Sequence, residues 1–311
     1  MSQSNNSPKM LTTRSGQISF PAYIPVTTFG EKYPLDNLVR PYLCRLAPAV
    51  MVSYYYAKKM SPEQKPRLPL FVDSGGFISL FEGVNIRSKN KLGIIEINKD
   101  GETEIIHPKD VLELQSQVAD VAFTLDFPIP PNMDLPQAKE RQNLTIANAH
   151  WALNNRRRRD LPLYACVQAW DSQSAAHCAK EYANCGFDGI AIGGLVPRVH
   201  DIDLVLSIVE TVRNEIGDLP LHIFGLGSPD IIQKLYAVGV DSVDSSSYIK
   251  YAASGKLWSN PDFQIKEPTV TDRLHLALCN LAAATGKTLP LSASGIIFST
   301  ISLGDFINQH K

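Results

Sequence analysis

The chain has 311 residues, a formal net charge of −1, 44% hydrophobic and 20% charged residues, the make-up of an ordinary globular protein with ample core. No apolar run approaches the ~18 residues that a membrane span needs, and near-neutral charge excludes a globally basic nucleic-acid binder, so any polynucleotide site must be a local patch. Five cysteines without a C-x-x-C pair argue against a disulfide framework and a zinc tetrad, and the polar segment 1–9 lacks a signal-peptide core, so the cytoplasm is the expected location.

Residues 1–15 read as a flexible N-terminus. From there, apolar runs rich in β-branched and aromatic residues recur at 21–26, 49–54, 68–73, 121–126, 163–168, 189–193, 221–225 and 241–245. Their hydrophobicity is continuous rather than alternating, as expected of parallel strands covered on both faces. After the third run, residues 93–106 alternate at period two about Asp100-Gly101, which predicts a hairpin insertion over about 92–107. A helix from about residue 135 ends in Arg156-Arg157-Arg158-Arg159, a run that complements the C-terminal dipole on a solvated face. Leu204, Ile208, Val209 and Val212 keep helical spacing, and Ser228-Pro229-Asp230 supplies an N-cap, an N1 proline and a first-turn acid before Gly239 closes the helix. Residues 261–311 are expected to form a helical C-terminal extension. Strands with helical returns over 16–260 fit a (β/α)8 TIM barrel in the α/β class, with a doubly wound open sheet as the competing arrangement.

In a barrel, catalytic groups sit at the C-terminal ends of the strands. Those ends carry Asp73, Asp126, Gln168, Gly193-Gly194 and Asp244. A single strand-end Asp is more often a helix cap or turn initiator. Convergence of several on one rim is what points to a site. Two carboxylates flanking a sugar can run a double displacement, one attacking the anomeric carbon and the other managing the proton. Gly75-Gly76 before Phe77, and Gly193-Gly194 before Leu195, could let a planar heterocycle approach the backbone, although tight strand-to-helix turns would need the same glycines.

Several motifs carry a resemblance when taken in order. They are the opening strand 16–26, Asp73-Ser74-Gly75-Gly76-Phe77, Leu125-Asp126, Val167-Gln168, Ile192-Gly193-Gly194-Leu195, Phe224-Gly225-Leu226-Gly227-Ser228-Pro229-Asp230 and Gly239-Val240-Asp241-Ser242-Val243-Asp244. Together they resemble the tRNA-guanine transglycosylase superfamily. The resemblance implies Asp244 as the nucleophile toward ribose and Asp73 as the general acid/base for an incoming 7-deazaguanine base. It further implies Asp126, Gln168, Gly193, Gly194 and Leu195 as base contacts, with Phe77 and Phe224 sandwiching the ring. Arg198, Lys250 and Lys256 follow two of these motifs and are candidates for phosphate contacts.

Departures from the family pattern bear on the substrate. Ser245-Ser246-Ser247 follows Asp244 where the tRNA enzymes have Cys and then Pro-Thr-Arg, Ile78 replaces a Gln, and beyond Gly255 only His275, Cys279 and His310 remain as candidate zinc ligands. No cofactor is therefore expected, and the tRNA-binding and dimer-forming roles of the family's zinc module are in doubt. The Asp-Ser-Ser-Ser loop and Gly193-Gly194-Leu195-Val196-Pro197-Arg198 resemble the DNA-modifying branch, which places DNA ahead of tRNA as the expected substrate. A homodimer or a partner protein is compatible with this reading, and a non-catalytic nucleic-acid-binding partner subunit is one alternative to it. A carbohydrate-cleaving barrel is another.

Overall fold

The computed structural model describes residues 9–99 and 101–287 and closes eight parallel strands into a barrel. In chain order the barrel strands are Ala22–Thr27, Val50–Ser53, Leu70–Asp73, Val121–Phe123, Leu163–Val167, Gly189–Ile192, Leu221–Ile223 and Ser242–Ser245. The eighth lies beside the first, with Ser242 opposite Ala22 and Ser245 opposite Pro25. That pairing makes the TIM barrel and excludes the open sheet.

Continuous hydrophobicity in these strands has a two-sided cause. Leu70, Val72, Leu163, Ala165, Val167, Ile190, Ile192, Leu221, Ile223 and Val243 point outward into the layer beneath the helices. Their alternates Ile24, Met51, Phe71, Phe123, Tyr164, Cys166 and Ala191 fill the barrel interior. Both sets are apolar, so the period-two signal disappears. Helix Ile202–Ile216 starts at Asp201, whose carboxylate accepts from Leu204 N, and it buries Val205, Ile208, Val209, Val212 and Ile216. Among the described residues no helix is long and apolar enough to cross a membrane.

The structure differs from the sequence reading at both ends and in the insertion. Met10–Thr13 is a strand paired with Gly16–Ser19, so ordered structure begins inside the segment read as flexible, whose residues 1–8 lie outside the described residues. This hairpin carries Ile18 and Phe20 into the lower end of the barrel, where both are buried. The insertion is a three-stranded antiparallel sheet rather than a hairpin: Leu92–Lys99 and Glu102–Ile106 pair as expected, and Val84–Lys89 adds an edge. That edge has only Val84 and Ile86 as inward apolar residues, and its turn, Asn90-Lys91 at φ 52 and 67, lacks the Asn-Gly signature. Helix Val270–Ala284 is packed rather than appended, with Leu274, Leu276, Leu278 and Leu281 in the main core; residues 288–311 of the expected extension lie outside the described residues.

Candidate active site

The site is the topmost layer of the barrel interior. Period-two alternation carries the inward face from Phe71 to Asp73, from Cys166 to Gln168, from Ala191 to Gly193, from His222 to Phe224 and from Ser242 to Asp244. Aromatic and aliphatic groups below thus give way to acids and an amide at the mouth.

Asp244 is buried, and its Oδ1 lies 3.0 Å from His222 Nε2 while accepting from Gly225 N at 3.3 Å. His222 is fully buried, and its Nδ1 stands 2.8 Å from Ser242 Oγ. The Nε2–H tautomer satisfies both neighbours, with the imidazole donating to Asp244 and accepting from Ser242. One carboxylate oxygen is thereby anchored, while among the described residues Oδ2 accepts no hydrogen bond that would hold it back from an electrophile.

Asp73 accepts from Gly75 N at 2.7 Å, and Ser53 neighbours it across the strand register. Burial pushes its carboxyl up to about 7; bonds from Gly75 and Ser53 oppose that rise, while the charges of Asp244 and Asp126 add to it. All three acids lie at or just beyond the C-terminal ends of their barrel strands, Leu70–Asp73, Val121–Phe123 and Ser242–Ser245. Asp126 is buried, accepting from Ser74 Oγ at 2.6 Å and from Gln168 Nε2 at 2.6 Å, and burial raises its pKa as well.

Glycines fit tightly around this pair. A Cβ on Gly76 would stand 2.0 Å from the Asp126 carbonyl oxygen, one on Gly193 2.2 Å from Gln168 Nε2, and one on Gly194, at φ +72, 2.7 Å from Gln168 Oε1. Close approach to the Asp126–Gln168 pair is thus the immediate need for these glycines. Gln168 Oε1 is buried without a partner among the described residues, an acceptor facing the glycine turn that a ligand donor would satisfy.

Other expected residues fall differently. Phe77 is 60% exposed and meets Phe81 edge-on at 5.6 Å, whereas Phe224 packs on Phe123 and His222, each at 5.0 Å. Leu195 is fully buried in the layer under the helices, so only its main chain can serve a ligand. Arg198, a candidate phosphate contact, is engaged inside the protein. It is buried, and its Nη1 donates to Ile129 O at 2.8 Å and Gly194 O at 2.6 Å, tying the glycine turn to the segment after Asp126. Lys250 and Lys256 are exposed. In the arginine run, Arg156 is buried against Asp188 and Arg158 holds Ser116 O at 2.8 Å, which are structural tasks.

Comparison with known proteins extends this geometry. A family model described as queuine tRNA-ribosyltransferase matches residues 9–280. The chain belongs to that family. The tRNA-guanine(15) transglycosylase of Methanocaldococcus jannaschii is 30% identical over 167 residues, 51% of this chain and 25% of that protein. Its counterpart in Methanothermobacter thermautotrophicus is 24% identical over 268 residues, 80% of this chain and 37% of that protein. The queuine tRNA-ribosyltransferase of Helicobacter pylori is 23% identical over 268 residues, 81% of this chain and 72% of that protein. The chain therefore spans between 25% and 37% of the length of these two archaeal relatives.

Within the queuine tRNA-ribosyltransferase family, the zinc site implied by resemblance does not fit the residues present. Cys279 and His275 lie buried one helical turn apart on Val270–Ala284, burial pushes the Cys279 thiol up to about 12, and His310 lies outside the described residues. A thiol held protonated is a poor start for a tetrahedral thiolate site. Sequence reasoning gave no role to His222, Ser242, Ser74 or Ser53; His222, Ser74 and Ser53 bond the acids directly, and Ser242 holds His222.

The reassignment of Arg198 has a direct test. Arg198→Met is expected to lower stability by about 2 kcal/mol, because two buried carbonyls lose their donor. Thermal unfolding measures that loss, and the salt dependence of polynucleotide binding should stay at the wild-type slope. A reduced slope with unchanged stability would restore the phosphate role.

Proposed function

We propose that this chain is a base-exchange transglycosylase that replaces guanine in a polynucleotide with a 7-deazaguanine through a covalent aspartyl-ribosyl intermediate. The observation that carries the reading is Asp73, an acid raised to about 7 at the same mouth as the anchored carboxylate of Asp244. Asp244 attacks the anomeric carbon as the glycosidic bond breaks, and protonated Asp73 gives its proton to the departing guanine. The incoming base then loses its ring N–H proton to Asp73 and attacks the same carbon, releasing Asp244. Protons and bonds balance over the cycle, and it runs on side chains alone. The target guanosine must be unstacked to reach the pocket, which costs a few kcal/mol in a duplex and less in a loop.

The relatives' names support tRNA as the polynucleotide, and this replaces the DNA-first expectation. DNA stays as a second reading because Ser245-Ser246-Ser247 occupies the loop after the nucleophile. Labelled guanine exchange into bulk tRNA and plasmid DNA, side by side, decides between them. Exchange into neither would instead favour a non-catalytic subunit.

Base recognition is tested at Asp126. Asp126→Asn is expected to raise the KM for free base by about tenfold to a hundredfold, since an amide presents Ser74 and Gln168 with one acceptor fewer and meets a ligand N–H poorly. Steady-state kinetics with varied base and saturating polynucleotide reads this directly; an unchanged KM would remove Asp126 from base recognition.

A further inference from the structure

Four lysines on segments that follow barrel strands lie over tyrosine rings, and they divide into two kinds. Lys58 faces Tyr54 and Tyr55, Lys59 faces Tyr55, and each also has a carboxylate partner, Glu104 and Glu31 respectively. Lys32 and Lys250 share one ring instead: their ammonium groups stand 5.6 and 5.8 Å from the centroid of Tyr33. Neither has an acidic partner among the described residues. Two cations drawn to one ring without a counter-ion repel each other, and an anion between them would relieve that repulsion.

The main chain that carries Lys32 and Tyr33 is held in place. Buried Asp36 accepts from Thr28 N and Oγ1, both at 2.7 Å, and Thr28 Oγ1 in turn accepts from the main-chain N–H of Lys32 at 3.3 Å and of Tyr33 at 3.2 Å. This fixes the loop after the first barrel strand. Lys250 projects from helix Ser247–Ala253, which follows the eighth strand and its Asp244. First and eighth strands are neighbours, so the clamp sits beside the nucleophile. A ribose attacked by Asp244 carries its phosphates on either side of the sugar, within reach of that position.

We propose that Lys32 and Lys250, stacked on Tyr33, grip a single backbone phosphodiester of the polynucleotide next to the nucleoside being exchanged. The inference rests on the exchange reading and adds to it the path of the strand: over the ends of the first and eighth barrel strands, away from the Asp126 side. Tyr33 gathers the two ammonium groups around one ring, and the shared phosphate joins them.

Binding of bulk tRNA and of a guanine-containing single-stranded DNA oligonucleotide, measured against salt concentration, tests the clamp in the full chain. Lys32→Ala and Lys250→Ala are each expected to weaken binding roughly tenfold and to flatten the plot of log affinity against log salt by about one unit. The KM for free base should not change. Because one phosphate is shared, the double variant should flatten the plot by clearly less than the sum of the singles. Lys59→Ala, with its carboxylate partner Glu31, should leave the slope unaltered. A wild-type slope in Lys32→Ala, or full additivity in the double variant, overturns the clamp while exchange itself stands. Wild-type protein that binds neither polynucleotide overturns both the clamp and the exchange reading.

Discussion

Asp244→Asn is expected to abolish the covalent ribosyl adduct and to lower base exchange by at least about 10⁴-fold. The substitution keeps the shape of the side chain, so His222 Nε2 and Gly225 N still meet an oxygen at the position of Oδ1. What disappears is the second carboxylate oxygen, the only part with enough nucleophilic character to displace a nucleobase. Polynucleotide affinity should stay within a few-fold, since the contacts that hold the strand lie elsewhere. The adduct is read on a denaturing gel with labelled tRNA or DNA, and unfolding by heat reports whether the variant remains folded. Wild-type exchange in Asp244→Asn would move the nucleophile to another residue.

Asp73→Asn is expected to do two opposite things: remove exchange and strengthen the fold at alkaline pH. The Asp73 carboxyl is raised to about 7 first by burial, then by Asp244 and Asp126, from an ordinary value of 3.8. A folded-state pKa above the unfolded one means that the native state binds the proton more tightly. Stability is therefore highest below pH 4 on this account and falls as pH climbs toward 7, because holding the charged form in place is unfavourable. Asparagine carries no charge and escapes that cost. At pH 8 the variant should exceed wild type by on the order of 2 kcal/mol, a figure reduced from the full shift because water reaches the mouth of the barrel. Near pH 4 the two should unfold together. Denaturant midpoints at both values provide the check; a variant no more stable at pH 8 would mean that Asp73 is not held against its charge. Wild-type exchange limited by uptake of the incoming base's proton should rise through about pH 7 and level off, and the variant should lack that limb.

How much of this was visible in the chain follows from physical causes. Asp73, Asp126, Gln168 and Asp244 end long apolar runs, and a polar group at the end of a doubly covered strand stands out in sequence. His222 and Ser242 did not stand out because they lie within such runs. Their alternation with Phe224 and Asp244 was the available signal, and it shows only once the inward face is known. Arg198 misled for the reverse reason. A charged residue after Val196-Pro197 looks like a solvated loop, and its two carbonyl partners come from Ile129, far along the chain, and from Gly194, which the turn brings back. The barrel itself was legible from the number and spacing of the runs. The edge strand Val84–Lys89 was not, because a mostly exposed strand has little hydrophobic pattern to show. Substrate class was the weakest point: substitutions after Asp244 suggested DNA, whereas the named relatives act under tRNA descriptions.

The N-terminal hairpin has a kinetic consequence for the proposed reaction. Ile18 and Phe20 seal the floor of the barrel, with Ile18 fully buried among Ile24, Met51 and Phe71. Among the described residues that floor is packed, so in the proposed reaction a purine leaves on the side from which its replacement arrives. On the exchange proposal, expelled and arriving bases take turns at the ribosyl-enzyme. Initial-rate plots with both reactants varied should give parallel lines, the signature of substituted-enzyme kinetics.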